Sequence, residues 1–94
     1  MSNSLLRVKL PYAKQMEDLT EKYNYMAKSL NQELPGEKFR LIIKESDLIE
    51  SMNKLSASLN SRKILNMNLQ YVNEGDDLVS KFNWAVKVIN SSRG

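Results

Sequence analysis

Between Tyr12 and Leu34, apolar residues recur at Tyr12, Met16, Leu19, Tyr23, Met26, Leu30 and Leu34, at spacings of four, three, four, three, four and four. A strand would repeat every second residue, so this alternation predicts a helix. Pro11 is well placed to open it, because the amide hydrogen that proline lacks has no intrahelical partner there. Pro35-Gly36 closes it. The seam is narrow, as in a coiled coil or a helical hairpin. About 23 residues at 1.5 Å each span about 34 Å, whereas a six-residue strand reaches about 20 Å. The helix is therefore expected to overhang any sheet it packs on, leaving its free end in need of another partner.

The end of the chain carries the second strong signal. Gly75 interrupts what precedes it, Asp76 can cap a helix start, and Asp77 adds negative charge at the positive end of the helix dipole. Leu78, Val79, Phe82, Ala85, Val86 and Ile89 then fall within about 120° of arc, a normal core-facing stripe. Trp84 projects about 160° from the centre of that stripe, and Val88, one turn on, lies off it in the same general direction. The helix thus presents a second apolar surface. A large ring off the core stripe suits a partner or self-association surface. Tyr25, off the seam of the first helix, is a further contact residue. Over Leu78 to Ile89, the order Leu, then Trp-Ala six residues on, then Ile resembles the last helix of small phage proteins that sequester cyclic nucleotides. The likeness spans that one helix, and no family is assigned from it.

Three shorter stretches read as strands. In LLRVKL, Leu6, Val8 and Leu10 alternate with Arg7 and Lys9; in KFRLIIK, Phe39, Leu41 and Ile43 alternate with Arg40, Ile42 and Lys44; in KILNMNLQYV, Leu65, Met67, Leu69 and Tyr71 alternate with Asn66, Asn68 and Gln70. Asp47 followed three residues later by Glu50 resembles a capping box, and opens a helix through Leu48, Met52, Leu55 and Leu59 that Asn60-Ser61 should end. The expected fold is α+β, or small α/β. It has two layers, with about three short strands interleaved with three helices and a long first helix. The alternative is an all-α bundle in which residues 37 to 60 form one helix. No linker, internal repeat or low-complexity tract divides the chain. Residues 1–94 read as one domain, with 1–4 and 91–94 frayed at its ends.

In a 94-residue chain without histidine or cysteine, the commonest general base, the commonest metal ligand and the best neutral-pH nucleophile are all missing. The acidic groups Glu45, Asp47 and Glu50, and Glu74, Asp76 and Asp77, sit at helix starts, where capping accounts for them. No glycine pattern cradles a phosphate. An enzyme is therefore not expected, nor a metal or other cofactor. No apolar run is long enough for a membrane span and no secretory leader is evident, so a cytoplasmic location is expected.

The leading expectation is a small protein-binding module, of the adaptor or inhibitor kind, that self-associates as a homodimer or higher oligomer or docks on a larger protein through Trp84, Val88 and Tyr25. The net charge of +3 supports an alternative in which Arg7, Lys9, Arg40 and Lys44 share one sheet face and bind nucleic acid or an anionic nucleotide.

Overall fold

A computed structural model describes residues 7–92. It contains three α-helices: α1 (Leu19–Glu33), α2 (Leu48–Arg62) and α3 (Leu78–Ser91). Short 3-10 turns at Met16–Asp18 and Glu45–Asp47 lead into the first two, and a turn through Gly75, with φ of +90°, leads into the third. No strand is present among the described residues, so the α+β expectation is overturned. The all-helical class holds, although residues 37–44 are not part of a helix. All three stretches read as strands are nonhelical where described, and pair with helices instead of with one another.

The pairing is made by asparagine side chains. On α1, the Asn24 carboxamide oxygen accepts from the Ile42 N–H at 2.7 Å while its Nδ2 donates to the Ile42 carbonyl at 2.9 Å. Asn31 makes the same pair of bonds to Phe39, at 2.7 and 3.0 Å. On α2, Asn53 holds Val72 and Asn60 holds Leu69, each through both main-chain groups at 2.7–3.0 Å. On α3, Asn83 holds Ala13 and Asn90 holds Leu10, at 2.8–3.0 Å. A carboxamide carries one acceptor oxygen and a donor NH2, so it can satisfy both polar groups of one extended residue as a neighbouring strand would. The spacing follows from geometry. Seven helical residues rise about 10.5 Å and return to nearly the same face, and three extended residues rise about 9–10 Å.

These clamps expose an internal repeat, contrary to the expectation that there is none. Each helix carries Asp-Leu, three residues, a large apolar residue and Asn, then five residues, Leu or Ile, and Asn: Asp18 to Asn31, Asp47 to Asn60, Asp77 to Asn90. The clamped residues precede the aspartate at constant distance in all three units. The first two helices hold the segment that follows them, and α3 holds the one that precedes α1, so the units close into a ring. Each segment also touches the helix that follows it. Arg7 N–H donates to Glu33 at 3.2 Å, Arg62 pairs with Glu37 at 2.9 Å, and the Asn66 N–H donates to Ser92 at 2.8 Å.

The helices bury equivalent positions. Leu19, Tyr23, Met26, Ala27 and Leu30 on α1 correspond to Leu48, Met52, Leu55, Ser56 and Leu59 on α2, and on α3 Phe82, Ala85, Val86 and Ile89 continue the set, with Leu78 partly covered. In the segments that the helices hold, the clamped residues are buried and three apart: Leu10 and Ala13, Phe39 (partly) and Ile42, Leu69 and Val72; Val8, two residues before Leu10, is buried as well. From Leu10 to Ala13, and over Phe39 to Ile42 and Leu69 to Val72, this replaces the expected alternation, which Arg7 to Leu10 keep. Ile42, assigned to the wet face, is buried, whereas Ile43 is 92% exposed. The first helix is also shorter than expected. Residues 10–13 are held extended by α3, so Tyr12 and Met16 lie outside the seam and are exposed. Asp77 takes the cap role expected of Asp76, accepting from the Ser80 N–H, and Asp47 makes no side-chain cap bond. α2 runs past Asn60-Ser61 to Arg62 and stops where Lys63 turns left-handed, with φ of 55°.

Tyr23 is buried, its hydroxyl donating to the Ser51 carbonyl at 3.1 Å, and burial pushes its pKa up to about 12 from 10.0. The folded chain therefore keeps the proton through a window in which the unfolded chain releases it. Stability is fully present below pH 10.0 and is lost as pH rises to about 12, by about 2–3 kcal/mol in all. Tyr23→Phe is expected to cost about 1 kcal/mol at pH 7 and to flatten this alkaline loss. Urea titrations at pH 8 and pH 11 compare the two; an equally steep loss in the variant would contradict the assignment.

Candidate functional site

The repeat gives each unit an equivalent surface between its clamped segment and the helix that follows it. The first is a groove of about 470 Å³ lined by Lys9, Leu10, Pro11, Glu21, Lys22 and Tyr25. Tyr25 is 52% exposed, so its ring is available on one side. The second, about 370 Å³, sets Lys38 and Arg40 beside Ser51, Lys54 and Ser58. In the third, Lys81 reaches Gln70 at 3.5 Å, and Trp84 occupies the position that Tyr25 and Lys54 hold in the other two. One structural position thus carries tyrosine, lysine and tryptophan in turn.

Trp84 is partly buried against the core, and Val88 is only 5% exposed. The helix does have a second apolar face, but the domain's own packing covers much of it. Tyr25, of the three residues proposed as an interface, stands out into solvent. Arg7 and Lys9 lie on the segment clamped by α3, and Arg40 and Lys44 on the segment clamped by α1. The four are exposed but share no sheet face, because there is no sheet among the described residues. Arg40 and Lys44 do line one surface recess, together with Leu41, Ile43 and Lys54 and with Asp47 and Glu50.

A further exposed apolar position recurs through the repeat. Tyr12, Leu41 and Tyr71 occupy the same position in the three units, one residue before the second clamped residue, and are 50%, 51% and 54% exposed. The clamps force this. With the residues on either side of a two-residue interval held against the helix, the second residue of the interval points outward. Aligning the three Asp-Leu units is the signal that would have found it.

Among the described residues no buried side-chain polar atom lacks a hydrogen-bond partner, and no group of acidic residues is arranged to hold a metal ion. No helix there is long and apolar enough to cross a membrane. No known protein family, characterised protein or solved structure matches the chain. The functional reading therefore rests on the geometry of this surface.

Proposed function

We propose that the protein is a non-enzymatic binding module of the adaptor or inhibitor kind, acting in the cytoplasm, which engages a partner protein or a second copy of itself through its exposed apolar residues. The observation that supports this is that one outward position of the repeat carries Tyr12, Leu41 and Tyr71, each half-exposed, with Tyr25 in its groove and the nearly bare Ile43 as further exposed apolar residues. Large apolar side chains scattered singly on a surface need no explanation, but the same position left half-exposed in three related units does. Aromatic anchors beside lysines and a glutamate match the makeup of an interface centre with a polar rim. The absence of cysteine is compatible with a reducing compartment.

Sedimentation velocity over a dilution series provides the test, with Trp84, the single indole, as a fluorescent reporter. The expected result is a concentration-dependent increase in mass, or capture of a defined partner, that Tyr25→Ala and Tyr12→Ser together weaken by at least about tenfold, roughly 1.4 kcal/mol. Binding that the double variant leaves unchanged would remove this surface from consideration. A monomer at every concentration would remove the self-association reading.

A further inference from the structure

The geometry points to a second mode of self-association, in which the α3 clamp of one copy takes residues 7–14 of another. The three clamps differ in how their occupants are tied to them. α1 and α2 hold segments that follow them directly in the chain, with clamp separations of 8 and 18 residues for α1 and 9 and 19 for α2. α3 holds its occupant across separations of 70 and 80 residues. Only this clamp could release its segment without disturbing the link between a helix and the segment next to it.

Asn83 and Asn90 bond to the main-chain groups of Ala13 and Leu10, and the buried Val8, Leu10 and Ala13 supply the fit. A second copy offers the same main chain and the same side chains, so the site cannot distinguish its own segment from a neighbour's. The segment is joined to α1 through Lys14 and Gln15, both exposed, whose N–H groups donate to Asp18 at 3.0 and 3.3 Å. Swinging the segment outward there requires those surface bonds, the Arg7 N–H bond to Glu33 and the α3 clamp to open, and withdraws Val8, Leu10 and Ala13 from the core until a second copy replaces them. Reciprocal exchange then restores every clamp bond in a closed twofold dimer. Within one chain, the tethered segment has an effective concentration of roughly millimolar, so the monomer prevails in dilute solution.

This mode does not depend on the exposed apolar residues. The experiment is light scattering on the full chain after warming at about 2 mM, a level set by that effective concentration, to just below the unfolding midpoint and then cooling. It is paired with a variant lacking Lys14 and Gln15, a deletion that removes about 7 Å of reach. A dimer fraction that survives dilution is expected from the full chain. The deletion should shift dimerisation to at least about 100-fold lower concentration. Asn83→Ala with Asn90→Ala should abolish the dimer. Asn24→Ala with Asn31→Ala, which removes equivalent bonds elsewhere in the ring, should not, and neither should Tyr25→Ala. Monomers alone from both the warmed chain and the deletion variant would overturn the proposal. So would a dimer that persists without Asn83 and Asn90, or that disappears with Tyr25→Ala.

Discussion

Asn53→Ala is expected to destabilise the protein by about 2–4 kcal/mol, because it orphans both main-chain groups of Val72, a residue only 4% exposed. Two neutral hydrogen bonds contribute about 1 kcal/mol each when their partners can return to water. A buried N–H or C=O left unmatched costs about 1–3 kcal/mol. Water can reach the partly exposed Asn53 position, which places the result in the lower half of the summed range. Against a total stability of about 5–15 kcal/mol, the change should lower the melting temperature by about 10 °C or more. Asn53→Asp separates the two bonds. The carboxylate can still accept from the Val72 N–H but has nothing to donate to the carbonyl, and its charge faces that oxygen. It should therefore be no better than alanine. The repeat supplies its own controls, since Asn24→Ala and Asn83→Ala break equivalent clamps on Ile42 and Ala13 and should fall within about 1 kcal/mol of Asn53→Ala. Urea unfolding measures all four. A cost for Asn53→Ala below about 0.5 kcal/mol would mean that the clamps decorate the fold without holding it.

What the amino acids made legible was each helix's inner face. The seam through Leu19, Tyr23, Met26, Leu30 and Leu34 is buried as its spacing required, and so are Leu48, Met52, Leu55 and Leu59. The α3 stripe is buried or partly covered throughout. These residues report on themselves, because burying one side of a helix demands a period near 3.6 whatever lies opposite. The extended stretches were misread for a different reason. β-branched residues and apparent alternation marked these stretches as strands, but left open which groups would satisfy their amides. In KFRLIIK, a period of two and a period of three both fit so short a run. The clamps on Phe39 and Ile42 chose three.

Asparagine was the overlooked signal. Inside a helix it reads as a mediocre former that prefers caps and turns, so Asn24, Asn31, Asn53, Asn83 and Asn90 attracted no role and Asn60 was read only as a helix stop. Only when the Asp-Leu units are aligned do they coincide at every unit. Identity is confined to a few positions, while the core between them changes freely among Tyr, Met and Phe or Ala, Ser and Val. The candidate site suffered the same loss. The wheel placed Trp84 and Tyr25 off their stripes, but it shows the direction of a side chain and not what covers it. Trp84 packs against the shared hydrophobic core, and Tyr25 opens into a groove.

The same alignment leads to a sharper result at Phe82, which is 0% exposed and occupies the position of Tyr23 and Met52. Phe82→Ala is expected to cost about 3–5 kcal/mol, since the transfer term for the ring is joined by a cavity that three helices and their clamped segments cannot collapse to fill. In differential scanning calorimetry this approaches loss of the cooperative transition for a chain of this size. Phe82→Met should cost less than about 1.5 kcal/mol. Methionine is smaller by about one methylene, is flexible enough to follow an irregular gap, and already packs at the equivalent site on α2. The contrast tests the repeat itself. If the three positions are equivalent in environment as well as in sequence, methionine transfers between units with little penalty. A methionine variant as damaged as the alanine variant would show that the environment at Phe82 is not shared, leaving the likeness between the units to the clamps alone.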